Sequence, residues 1–172
     1  MKRTRLILSL SGAITLLAAQ LAIAGTLDDA PFRVVPASSG WTIDDSKAQP
    51  MGKDVFLVAT LSNTNTMLKS VVIKTVLKKV SASSLEELCA GIRDSFSNPA
   101  VKNISEADTT FLDRKAKTFI FEINQGGQTT YSEATVFVAD GKGWTVDCVG
   151  RPNQKDEIKK IFGFYQKKAG IK

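Results

Sequence analysis

NISEADTTFLDRKAKTFIFEINQGGQTTYSEATVFVADGKGWTVDCV, residues 103–149, decides the fold. Four runs with strand character, Asn103–Leu112, Lys117–Asn124, Thr129–Ala139 and Gly143–Val149, are separated by short links rich in Gly and Asp. The links are Asp113-Arg114-Lys115-Ala116, Gln125-Gly126-Gly127 and Asp140-Gly141-Lys142-Gly143. Such residues between alternating runs are what antiparallel hairpins require. Phe119, Phe121 and Ile123 share one face of their strand by period two, and Trp144, Val146 and Cys148 share one face of theirs. The stretch therefore predicts a four-stranded antiparallel meander.

A helix flanks the meander on each side. Upstream, Ser84 followed by Glu87 predicts a capping box, and Leu85, Leu88, Cys89, Ile92 and Phe96 recur at helical spacing until Asn98-Pro99 stops the run. Downstream, Asn153 is a good N-cap, Asp156 and Glu157 suit a first turn, and Lys167 and Lys168 suit a last one. Ile158, Ile161, Phe162 and Tyr165 form that helix's apolar stripe, and Gly170 closes it.

Before the first helix the pattern is again mostly strand. Phe32, Val34 and Val35 make a short run, and Trp41 and Ile43 share a face after a Ser38-Ser39-Gly40 turn. Pro50-Met51-Gly52-Lys53 reads as a second turn. Asp54 to Leu61 is apolar on both faces, which predicts a central strand covered on two sides. In Val71 to Val80, Ile73, Thr75 and Leu77 face one way, with Lys74 and Lys78 facing the other. The sum is an α+β domain, a largely antiparallel sheet of about six to seven strands flanked by two main helices.

The first 24 residues read differently. Met1 to Arg5 is basic, Leu6 to Leu21 is apolar, and Ala22-Ile23-Ala24 offers small residues where a signal peptidase cuts. Ser9, Ser11, Gly12, Thr15 and Gln20 dilute the apolar run, which makes it a poor permanent membrane span. The expected layout is a cleaved signal peptide over 1–24, a flexible segment over 25–30 and one domain over 31–172, in a periplasmic or secreted protein. Of 23 basic residues, Lys2, Arg3 and Arg5 leave with the signal, so 20 face 17 acids and the net charge becomes +3. That value favours solubility and does not argue for nucleic acid, nor does an aromatic content of 8% with no run interleaving aromatics and arginine.

Export changes the reading of Cys89 and Cys148, the chain's two cysteines. In an oxidising compartment they predict a disulfide between the first helix and the last meander strand. It would close a loop of about 60 residues and contribute roughly 4 kcal/mol in the chain-entropy picture. The alternative is two buried thiols acting as small hydrophobes.

Catalytic signatures are scarce. The chain has no histidine, which removes Ser-His-Asp and Cys-His nucleophiles, and two cysteines alone do not make a zinc site. It has no phosphate-binding glycine loop, no dinucleotide fingerprint and no calcium loop. No cofactor or metal is expected. Adjacent acids occur at Asp28-Asp29, Asp44-Asp45, Glu86-Glu87 and Asp156-Glu157, where a tail, a turn and two helix starts account for them. Lys74, Lys78 and Lys79 read first as a solvated sheet face and second as a contact for an acidic partner or headgroup. Asn103-Ile104-Ser105 matches a glycosylation sequon, which matters only in a host with that machinery.

The layout resembles the PsbP-like fold group, which includes the extrinsic protein of photosystem II and DcrB-like bacterial envelope proteins. The resemblance spans about Pro31 to Lys168. It rests on Trp41 after Gly40, the helix Leu85–Phe96, the Phe111–Phe121 hairpin, and Trp144–Cys148 leading into the helix with Ile161 and Phe162. It implies an antiparallel sheet flanked by helices and non-enzymatic work on a larger protein assembly. The chain departs from DcrB-like lipoproteins in having no Cys at the cleavage junction to accept a lipid. The functional expectation is an exported accessory protein that binds another envelope or secreted protein, without stable membrane insertion after cleavage. The alternatives are a toxin-neutralising immunity-type protein, a carrier of a small apolar ligand held between helix and sheet, and an enzyme working with carboxylates alone.

Overall fold

Three tight turns set the architecture. Leu112-Asp113, Gly126-Gly127 and Asp140-Gly141 all have φ between 51° and 80°. Two successive residues of positive φ make a turn whose twist matches that of the strands it joins. In the computed structural model, which describes Leu27 and residues 30–35, 40–45 and 49–167, these turns join four long strands in sequence. They are β6 (Val101–Phe111), β7 (Arg114–Gln125), β8 (Gln128–Ala139) and β9 (Lys142–Gly150), antiparallel throughout. The predicted meander is present, each strand one to four residues longer than its pattern suggested.

The other elements are β1 (Phe32–Val34), β2 (Trp41–Asp44), β3 (Gln49–Gly52), β4 (Val55–Asn63), β5 (Lys69–Val76), α1 (Ser84–Ser95), α2 (Lys155–Ile161) and β10 (Tyr165–Lys167). The main sheet runs β2-β4-β5-β9-β8-β7-β6, with β3 also pairing with β4, and β1 and β10 form a separate two-stranded ribbon. The α+β class and the antiparallel sheet are as expected, with eight strands in the sheet.

Register assigns the two faces. Residues directly opposite in antiparallel strands point the same way. Phe137 opposes both Ala116 and Trp144, Val146 opposes Val72, and Cys148 opposes Ser70, so these residues share one face. This face is covered by the β1–β10 ribbon and α2, and its core includes Phe32, Leu61, Ile158, Ile161 and Tyr165. The opposite face carries Phe119, Phe121, Ala134 and Val136, which pack with Cys89 of α1. Each helix thus takes its own sheet face. Gly143 lets α1 lie close: an added Cβ there would meet Leu88 Cδ1 at 2.6 Å.

Several expectations change. The Cys89–Cys148 bridge is not formed: both cysteines are free and buried, one on each side of the sheet. The sequence pattern places each on a core face but does not say that the core has two halves. Thiol titration of the purified protein should find almost no reactive sulfur when native and two thiols per chain after denaturation without reductant. A count of zero after denaturation would restore the bridge.

The last helix ends at Ile161, followed by a 3-10 turn over Phe162–Phe164 and then β10, instead of continuing toward Lys168. Tyr165 lies in β10 opposite Val34, with its ring 5.4 Å from that of Phe32. Burying Phe164 against Trp41 and Tyr165 against Phe32 requires the chain to extend. Ser84 is the first helical residue of α1 and its hydroxyl accepts from Ser81 N–H; Ser83 is the N-cap, donating to Glu87 Oε1 at 2.7 Å. Pro50 to Gly52 belongs to β3, and the turn is confined to Lys53-Asp54.

Lys74 reverses its predicted facing. It lies on the core side of β5 at 2% exposure, opposite Trp144, with Nζ 5.7 Å from the centre of the Phe56 ring. The basic stripe is therefore broken, with Lys78 and Lys79 exposed beyond the end of the strand. The signal peptide over 1–24, Asp28-Asp29, Lys168 and Gly170 lie outside the described residues. Within the segment 25–30, Ala30 is buried and Leu27 packs on the same core.

Candidate functional site

The two faces of β4 and β5 are treated differently. Toward the aromatic core, Val58, Ala59, Leu61, Ser70, Val72 and Lys74 are all buried. On the other face Val55, Leu57, Thr60, Val71, Ile73 and Thr75 are only half-buried. The cause is the position of α1, which packs on β8 and β9. The strand predicted to be covered on both sides is thus fully covered on one.

Two polar groups lie on the same face in the neighbouring strands β8 and β9. Asp147 of β9 opposes Val71 and Ala134, and its Oδ1 accepts a hydrogen bond from the Ser132 hydroxyl. Burial raises its carboxyl from 3.8 to about 6, against the lowering effect of Ser132. Neither residue stands out in the sequence, because other polar residues punctuate both strands, among them Thr130, Glu133 and Thr135 in β8 and Lys142 and Thr145 in β9.

The same face ends in a cleft of about 810 Å³ beside the β4–β5 loop and the start of the 3-10 turn at Pro152. Lys69, Thr129, Thr130, Val149 and Arg151 are among its walls, and Met67 forms a lip. A second cleft of about 470 Å³ shares Met67, Arg151 and Asn153 with it. No acidic side chain among the described residues lines either cleft. A guanidinium nitrogen of Arg151 donates to the Met67 sulfur at 2.9 Å.

Along the far side of α1, an ionic cluster fastens the helix to the sheet. Arg93 donates to Glu86 at 3.0 Å and also to Glu106, while Lys117 Nζ lies 3.1 Å from Glu86, 3.1 Å from Glu106 and 3.3 Å from Asp108. The Arg93 guanidinium holds Glu106 down at about 2, and Glu106 in turn raises Lys117. Every cation here has carboxylate partners, so the cluster fixes α1 in place and leaves no charge seeking a ligand.

The predicted disulfide residues are buried apart. Cys148 donates to Ser70 Oγ at 3.6 Å, and Ser70 shares a short hydrogen bond with the Tyr165 hydroxyl. Burial raises the Cys148 and Tyr165 pKa values, and that of Cys89, so none of the three is poised to ionise near neutrality. The acid pairs are dispersed: Glu86-Glu87 and Asp156-Glu157 start the two helices, and Asp44-Asp45 ends β2. Among the described residues, no three His, Cys, Asp or Glu side chains converge in a way that could hold a metal. No described helix is long and apolar enough to cross a membrane. The alternative of an apolar ligand between helix and sheet finds the space beneath α1 packed with Leu85, Leu88, Cys89, Ile92 and Phe96 against Phe119 and Phe121.

No protein-family model matches the sequence, and no curated protein is significantly similar to it. Cyanobacterial PsbP (CyanoP) from Synechocystis sp. PCC 6803 is similar in structure, with a TM-score of 0.54 and 15% identity over 75% of this chain and 82% of that one. PA94 from Pseudomonas aeruginosa, a protein of unknown function, gives a TM-score of 0.48 and 8% identity over 72% and 76%. LpqN of Mycobacterium tuberculosis, described as involved in cell envelope biogenesis, gives 0.44 and 14% over 76% and 84%. The first comparison carries the fold assignment: the chain has a PsbP-like fold.

Proposed function

We propose that this is an exported accessory protein that binds another envelope or secreted protein on the half of the sheet left open by α1. The observation that carries the reading is the contrast across β4 and β5, buried on one face and half-exposed at Leu57, Val71 and Ile73 on the other. Apolar strand residues left partly in water lose part of the benefit of burial, which a partner restores by covering them. Export is the reading of the basic, apolar and small-residue zones over residues 1–24. A binding role rather than catalysis is supported by the dispersed acids, the lack of histidine and the two buried, un-ionised thiols.

Site-specific photo-crosslinking in the native host tests this. A crosslinker placed at position 71 or 73 should give an adduct to one and the same protein, lost when Leu57→Lys is added. The same crosslinker at position 79, in the exposed segment after β5, should give none. Identical products from all three positions, or none from any, would overturn the reading.

A further inference from the structure

We infer that the cleft at the Lys69 end of the sheet is a binding site for an organic phosphate. The inference does not depend on the partner face, although the two adjoin.

Register brings the cations together. Lys69 opposes Val149, and Arg151 follows two residues after Val149. Across an antiparallel pair such diagonal neighbours stand about 7–8 Å apart, close enough for two long side chains to converge on one anion. Neither cation is paired with a carboxylate among the described residues. The contact that Arg151 makes through its guanidinium is to a thioether, a weak acceptor that leaves most of its five donors for something better. The contrast with Arg93 and Lys117, each held by more than one carboxylate, is internal to the molecule.

The rest of the lining fits the same chemistry. Thr129, Thr130, Gln128 and Asn153 supply neutral donors, and among the described residues no carboxylate lines the cleft to repel an anion. A phosphate monoester presents three terminal oxygens, and arginine recognises such a group through paired N–H bonds. The volume of about 810 Å³ exceeds what phosphate alone would fill, and Met67, Val149 and Pro152 offer apolar surface to an attached organic group. The bond is wholly non-covalent and no chemistry on the ligand is implied.

Calorimetric titration of the purified protein at physiological salt tests the site, with phenyl phosphate and inorganic phosphate as probes. Phenyl phosphate should bind at one site per chain and more tightly than inorganic phosphate. Lys69→Gln and Arg151→Gln should each weaken it about tenfold and together remove it. The Met67 methyl signal should shift on titration in the wild type and stay still in the double variant. The charge-matched control Lys78→Gln/Lys79→Gln should bind as the wild type does. Absence of binding by either probe, or an equal loss in the control, would refute the site. Flotation with phosphatidic acid vesicles separates the sources: retention that Arg151→Gln abolishes assigns the phosphate to a lipid headgroup, and no retention assigns it to a soluble ester.

Discussion

Replacing Phe32 by alanine is expected to destabilise the protein by about 3–5 kcal/mol and lower its melting temperature by about 10–15 °C. The side chain is 1% exposed and sits where the β1–β10 ribbon meets the sheet. Its ring lies 5.4 Å from that of Tyr165, 5.7 Å from Trp144, 6.1 Å from Phe137 and 6.5 Å from Phe111. Three of those four contacts are edge-on, the arrangement that ring quadrupoles favour, and each adds about 0.5–1.5 kcal/mol beyond area burial. Truncation removes all of them and leaves a cavity that the four surrounding rings cannot close. Phe32→Leu retains most of the volume and should cost much less. Urea unfolding followed by circular dichroism measures both. A loss below about 1 kcal/mol for the alanine variant would show that the ribbon is not part of the cooperative core.

Phe32 also marks how far the sequence could be read. Its run, Phe32-Arg33-Val34-Val35, is legible as a strand, but its partner is not, because Tyr165 lies more than a hundred residues away in what reads as a helix. The meander was readable because its evidence is local: alternation within each run and turn-forming residues between runs. The end of α2 was not, since Ile158, Ile161, Phe162 and Tyr165 fit helical spacing equally well and tertiary burial of Phe164 and Tyr165 decided otherwise. Lys74 shows the same limit. A lysine in an alternating strand normally marks the wet face, yet here its stem lies beside Trp144 and the core takes it in.

The candidate sites were less visible than the fold. Leu57, Val71 and Ile73 look like any core residues, and their half-exposure follows from where α1 ends up. The meeting of Lys69 with Arg151 depends on pairing of β5 with β9, two strands separated by a helix and three other strands. The cysteine pair failed for a related reason. Period two placed Cys148 on a core face and period 3.6 placed Cys89 on one, but only the sheet's position between them reveals two cores.

Asp147 gives the second large effect, and here pH decides the sign. Its carboxyl has a value of about 6 in the folded protein against 3.8 ordinarily, raised by burial beside Val71 and Ala134. Between those two values the folded chain binds more protons than the unfolded one, so this group's stabilising contribution, complete below about pH 4, is lost as pH rises through 6. Above pH 6 the protein carries a charged, poorly solvated carboxylate at a cost of up to about 3 kcal/mol. Asp147→Asn keeps an acceptor for the Ser132 hydroxyl and removes the charge. It should therefore stabilise the protein by about 1–3 kcal/mol at pH 8, with the gain shrinking through pH 6 and gone by pH 4. Glu133 is raised by burial and Glu106 is lowered by Arg93, but both are present in the two proteins, so the difference between them isolates Asp147. Urea midpoints at pH 4, 6 and 8 provide the measurement. A gain of the same size at every pH would mean that packing, not charge, separates the variants, and a loss at pH 8 would mean that the ionised Asp147–Ser132 pair helps hold β9 to β8.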